Sequence, residues 1–578
     1  MTAPNDDLRC PDDEGRQFRD GVYRPLPEAD LPLAPTDARF PDPGHGPPFR
    51  VWNEVPRVPR LRHLLGPSVV ALGMGLGAGE LLLWPNLVVA NGFSIWWLFW
   101  VGVLTQFVVL VEIERWTLAT GESVFGGMGR LDRFGAWPVA FALLGLLGMA
   151  WPGWASQSAE FAAAIVGAAS GAPVAWQPLA LVMIAGCWVA LAASRVVYNA
   201  LERFELLLVM TFFPLLLIVL AIVGVSTADA AALARGAASV GTAPAALLTG
   251  AQFPLLLLAV AYAGSGGTLL LAQSLWIRDK GFGMAAYQGR IAGLRGADEQ
   301  VSATGYVFDP AAPAALPRFR LWVRLSRQEL LGLFVALILL SVVVTTLVAS
   351  ATLGTGRPEL AGRMTGMVQL EAAALGDTAG RWFALAFLLG GALVLFSTQL
   401  GVMDTITRIA GTVFHERFGR HTRFWTLQRT FLVFLTAFTA ASMAIVWVSW
   451  RGGASVDQLQ PDFLVLVAGP FTIGSMYLFT LVVGVMNVRR LPTALAPGAW
   501  QRAGLWWATC LWGWFSVETI ARSLLGAAGA PAGLAERLAW HPVRGALYAA
   551  WMVSLAWFAI QLARGRRAPR ESAPARPS

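Results

Sequence analysis

A run of small residues, Leu72-Gly73-Met74-Gly75-Leu76-Gly77-Ala78-Gly79, leads directly into Glu80, and an apolar stretch ending at Trp84-Pro85-Asn86 follows. Each glycine costs a helix about 0.8–1.0 kcal/mol relative to alanine, so the cluster marks a place where a helix can loosen and expose backbone groups. Close helix packing is the plainer reading, because Gly73 with Gly77 and Gly75 with Gly79 are small-residue pairs four apart. Glu80 tips the balance toward function. Counted from Leu64 at about 1.5 Å per residue, it lies roughly 24 Å along a span whose hydrocarbon thickness is about 30 Å. An acid there costs at least about 2.5 kcal/mol unless it meets a cation, a proton or a partner. The pattern returns at Gly264-Ser265-Gly266-Gly267, inside a second apolar helix. A carboxylate, a hydroxyl and carbonyls freed near Gly77 and Gly264 form an oxygen-rich set suited to a hard cation, with Glu80 as the metal ligand. Gly75, Gly79, Gly266 and Gly267 are the expected helix-break glycines.

Proton chemistry has a separate candidate. Glu160 has no basic residue within a turn or two, and Gln157 is its polar neighbour three residues earlier. A buried acid without a counter-ion tends to keep its proton, which suits a proton relay. Other acids in apolar runs have a base on their own helix: Glu112 with Arg115, Asp404 with Arg408, and Glu518 with Arg522. Spacings of three and four bring side chains together, so these read as structural ion pairs. No histidine pair has metal-ligand spacing, and no nucleophile elbow or phosphate loop appears. Catalysis is not expected. Cys10, Cys187 and Cys510 are too few and too scattered for a disulfide framework or a cysteine metal site.

The elements that must position these residues are membrane helices. Of 578 residues, 56% are hydrophobic and only 13% charged, and mean hydropathy is +0.58; soluble domains carry about 25% charge. Windows of about 20 apolar residues predict twelve spans, near 64–90, 93–113, 137–168, 178–194, 204–226, 247–277, 328–352, 380–408, 428–450, 462–487, 502–526 and 542–562. With the N-terminus inside, arginine accumulates in alternate connectors, which predicts a multi-pass protein of the cell (inner) membrane with both termini cytoplasmic. The net charge of +8 is explained by those connectors and not by nucleic acid. Residues 1–60 read as a Pro-rich acidic cytoplasmic tail, disordered, and 61–562 as the transmembrane domain with a cytoplasmic loop near 278–327. Residues 563–578 read as a basic tail. The expected partners are the bilayer and a small transported solute; no resident cofactor is expected, and oligomeric state is open.

Several short segments resemble the Nramp (natural resistance-associated macrophage protein) family of metal-ion transporters. Gly66-Pro67-Ser68 is similar to the opening of that family's first helix, Leu395 through Gly401 to its eighth, and Asn487-Val488-Arg489-Arg490-Leu491-Pro492 to the segment after its tenth. The resemblance implies an all-α, LeuT-like fold of five plus five inverted helices with discontinuous helices one and six. It also implies uptake of a divalent metal, often coupled to protons. The chain departs from the pattern where it matters. Gly77-Ala78-Gly79-Glu80 stands in place of the family's Asp-Pro-Gly-Asn, Gly264-Ser265-Gly266 in place of Met-Pro-His, and Gln157 with Glu160 in place of an acidic pair. Loss of the sulfur ligand points to a hard cation such as magnesium or manganese. The alternatives are a transporter of a small organic solute, or a non-transporting receptor on the same fold.

Overall fold

The computed structural model describes residues 26, 30–59, 66–194, 197–244, 247, 252–289, 291, 294, 302, 304–419, 422–452, 459–525 and 542–565. Among these, nine helices are long and apolar enough to cross a membrane. The other three expected spans are present in less regular form. Span four, Trp176–Ala192, is short; span six is split into Phe253–Ala261 and Leu269–Lys280; span eleven, Ala499–Leu525, is long but less apolar. The protein is thus a polytopic all-α membrane protein.

Several spans depart from straight α-helix, and the departures sit at the centre. Span one runs as Pro67–Gly77, then a π-helical turn at Ala78–Leu83, then Trp84–Asn91. The expected discontinuity is therefore a widened turn, not an unwound stretch. Such a turn replaces i→i+4 bonds by i→i+5, visible where the Trp84 amide donates to Gly79 O. Span seven carries a matching π turn at Leu330–Val335, between Ala315–Glu329 and Ala336–Leu353. Span three breaks at Pro152 into Ala136–Met149 and Gly153–Ser170. The long span eight, Arg381–Arg417, packs on spans one and three and on span nine, Leu427–Arg451.

The arginine-bearing helix ends are tied together by the ion pairs the spacing predicts, each extended by a residue from elsewhere. Arg115 holds Glu112 at 2.9 Å, and Asn487 donates to the same carboxylate at 3.0 Å. Arg408 holds Asp404 at 2.8 Å and also pairs with Asp279, while Trp276 donates to Asp404 at 3.2 Å. Glu518 lies 3.6 Å from Arg522 and 3.2 Å from Arg544 of span twelve, Pro542–Arg564. All of these groups are buried.

Two soluble segments differ from expectation. Residues 30–59, expected within a disordered tail, lie as a strap across one face of the helices. Arg50–Val51 pairs in parallel with Tyr306–Val307, and Phe40, Phe49, Val55 and Val58 are buried. Arg130 is the main anchor: it donates to Pro43 O at 3.1 Å and Pro47 O at 2.7 Å, pairs with Glu122, and stacks 3.8 Å from the Phe49 ring centre. Trp322 donates to Pro56 O at 2.8 Å, and Arg490 pairs with Asp42. The loop near 278–327 is likewise not empty of core. Phe282, Met284, Tyr306 and Phe308 are buried, and span seven begins at Ala315 within it. Residues 1–25, 27–29, 60 and 566–578, the remainder of the expected tails, lie outside the described residues.

Candidate functional site

The two interrupted helices meet at their breaks. In span six, Gly264, Gly266 and Gly267 adopt φ of 122°, 68° and 55°, conformations that side chains beyond glycine rarely take, and the helix stops at Ala261 and restarts at Leu269. Carbonyls freed by this break are partly taken up by neighbours. Gln106 of span two, Trp97–Thr120, donates to Ala261 O at 2.9 Å, and Trp84 donates to Ala259 O at 3.0 Å. Ser265 ties the break to span one, its hydroxyl donating to Ala71 O at 2.8 Å.

The glycines of span one serve two faces. A Cβ at Gly75 would meet Gly264 C at 3.2 Å, and one at Gly79 would overlap Tyr262 O, so this pair lets the span-six break approach. On the other face, a Cβ at Gly77 would overlap the Thr398 hydroxyl of span eight, and one at Gly73 would overlap Glu205 of span five, Val197–Val223. Close packing and site formation are therefore both served by the same run. Adding a methyl group at either pair would wedge span one off its neighbours.

Glu80 lies in the π turn with no solvent exposure. Neither carboxylate oxygen has a hydrogen-bond partner, although the Gly264 backbone approaches it. Its own carbonyl, freed by the widened turn, accepts from Thr345 at 2.7 Å. No basic side chain among the described residues pairs with Glu80. Leaving such a group ionised and unpartnered in an apolar interior costs several kcal/mol, so the arrangement calls for a proton or a bound cation.

Glu160 and Gln157 are brought to a different place. Gln157 donates to Asp462 at 2.9 Å, and Glu160 faces Thr365 and the same Asp462. Asp462 also accepts from the Met364 amide at 2.9 Å. No described hydrogen bond or ion pair joins this acidic pair to Glu80. Glu160 borders an open cavity of about 590 Å³ with Gly167, Gly171 and Trp176. Asp462 was missed by sequence reading, since nothing local marks it as the partner of a residue some three hundred positions earlier. Met149 was missed for the same reason: the Tyr262 hydroxyl donates to its sulfur at 3.8 Å, so a thioether from span three does approach the break.

The span-six break thus meets the Glu80 carboxylate within a helical core, and known structures share the overall helical fold. The fold matches that of a manganese transporter. A crystal structure of a point mutant of the Eremococcus coleocola manganese transporter superposes with a TM-score of 0.58 at 11% identity, covering 89% of this chain and 98% of that one. The same transporter in complex with an aromatic bis-isothiourea substituted compound gives 0.55 at 14% identity, covering 93% and 100%. At these identities the likeness is one of fold, the LeuT-like architecture that the short-segment resemblance implies. No known family's sequence profile matches the chain, and no curated protein is similar to it in sequence.

Proposed function

We propose that this protein is an Nramp-like secondary transporter that binds a small cation at Glu80, between the π turn of span one and the break of span six. The observation that carries the reading is the Glu80 carboxylate itself: fully buried, with no side-chain donor or counter-ion on either oxygen, and set where two interrupted helices touch. In this reading the Glu80 carboxylate would be joined by carbonyls near Gly77 and Gly264 and by the Ser265 hydroxyl, an all-oxygen set that favours a hard divalent ion such as manganese or magnesium. The Met149 sulfur is engaged by Tyr262, which argues against a soft metal. The shared fold with a manganese transporter supports the same cargo class.

Glu80 has no solvent exposure, so loading it requires movement of span one or the span-six break. The strap-bearing face carries Arg130, Arg278 and Arg490, which supports a cytoplasmic assignment for that face. Glu160, with Gln157, Asp462 and Thr365 beside an open cavity, is suited to receive protons from the opposite face.

Glu80→Gln tests the reading, because it keeps size and removes charge. Manganese affinity of the purified protein, measured by titration calorimetry, should fall at least about tenfold, equivalent to about 1.4 kcal/mol. Thermal stability should hold or rise, since the amide is cheaper to bury. A folded variant that binds manganese as tightly as the wild type would overturn the assignment.

A further inference from the structure

Glu205 attracts no notice in the sequence, where it follows Arg203 at the edge of an apolar run. In the structure it is fully buried on span five, while Arg203 points to the outside. One carboxyl oxygen, Oε2, accepts from the Ser397 hydroxyl of span eight; the other, Oε1, meets no donor. The carboxyl group lies directly against span one, for a Cβ at Gly73 would overlap Oε2 and the carboxyl carbon behind it. Gly73 is a notch that receives an acid from another helix, seven residues, or about two turns, before Glu80.

Span five packs against spans one, four, six, seven and eight and against the helix Met364–Ala379. The buried basic groups on these elements are committed elsewhere, Arg278 pairing with Asp279. Lys280 holds Glu202 at 2.7 Å, and Arg408 holds Asp404 and Asp279. Among the described residues, neither Glu80 nor Glu371, the buried acid of Met364–Ala379, bonds to Glu205, whose one polar side-chain partner is Ser397. A metal ion would need several oxygen ligands around it, and among the described residues the Ser397 hydroxyl is the one side-chain oxygen bonded to this carboxyl group. A proton needs none.

We propose that Glu205 is a proton-binding carboxyl, neutral while span one is seated against it, and that it releases its proton when span one moves away and water reaches it. Gly73 and Glu80 are on the same helix, so a proton at Glu205 and a cation at Glu80 both bias the position of one element, which is the thermodynamic requirement for coupling. The coupling rests on the transport reading above; the proton site does not.

Infrared spectroscopy of the full chain at neutral pH tests the site by itself. The protonated-carboxyl C=O band should lose a component in Glu205→Gln, and Glu205→Met gives the same comparison if the amide variant does not fold. Identical bands in wild type and variant would overturn the proposal. Proteoliposomes carrying a pH-sensitive dye test the coupling with manganese as probe. Lumenal acidification per manganese ion taken up should fall to background in Glu205→Gln; an unchanged ratio would overturn the coupling role. A wild-type protein that moves no manganese would refute the transport reading instead, and the infrared result would still decide whether Glu205 carries a proton.

Discussion

Gly79→Ala and Gly332→Ala place the same methyl group in the two π turns and should have opposite effects. At Gly79 the new Cβ would sit inside the van der Waals envelope of Tyr262 O, a backbone atom at the start of the span-six break. Neither partner can swing aside, because Gly79 is fixed in its turn and the Tyr262 amide N–H donates a hydrogen bond to Leu258 O at 2.8 Å. Overpacking of this kind costs about 1–3 kcal/mol, and the absence of a flexible side chain puts this site at the upper end. At Gly332 nothing lies within 4 Å of the added atom, and that residue is exposed. Replacing a helical glycine with alanine in open space gains up to about 1 kcal/mol. The two variants should differ by roughly 2–4 kcal/mol in reversible detergent unfolding of the purified protein. Gly79→Ala should also weaken manganese binding, since it pushes the span-six break away from Glu80. If Gly79→Ala unfolds within about 0.5 kcal/mol of the wild type, inside the scatter of a neutral surface change, the close approach of spans one and six is wrong.

Arg408→Met should be severely destabilising, by about 3–5 kcal/mol, because it strands Asp404 without its cation and leaves Asp279 only Arg278; converting both acids to Asn in the same chain should recover much of the loss, read by thermal unfolding. Arg130→Ala removes the contacts to Pro43, Pro47, Glu122 and the Phe49 ring, so limited proteolysis should cut within residues 30–59 faster than in the wild type, and an unchanged rate would show that the strap is held by other contacts. Cysteines placed at Phe418 and at Pro358 should label from opposite sides of the membrane, the first from the cytoplasm; labelling of both from one side would break the twelve-span topology.

The parts of this architecture that were legible in the sequence are those encoded within one helix. Apolar runs gave span positions, and pairs such as Glu112 with Arg115 were readable because three or four residues of helix bring them together. Span six was legible because glycines at positive φ leave a compositional mark. The π turn at Ala78–Leu83 was not, since Ala-Gly-Glu-Leu-Leu-Leu has no residue that forces i→i+5 bonding; it arises where Thr345 can satisfy the Glu80 carbonyl. Glu205 and Asp462 were hidden for a related reason, as their partners Ser397 and Gln157 lie on other helices. The strap was hidden by composition: a Pro-rich polar segment reads as disordered, yet four buried side chains and the carbonyls held by Arg130 suffice to seat it.

The strap also imposes an order on biosynthesis. Residues 30–59 leave the ribosome early, but the strand they pair with begins at Tyr306, and Arg490, which holds Asp42, is made only after the tenth span. Phe49 meets Trp116 and Arg130 once spans two and three are in place, but the strand pairing and the Asp42 contact must wait until much more of the chain is inserted. Chains truncated midway would hold the strap only through its contacts to the early spans, a partly seated segment of the kind that invites aggregation and attracts chaperones. Closure of the strap is then a late event in maturation, and a docked strap reports that both halves of the membrane domain have come together.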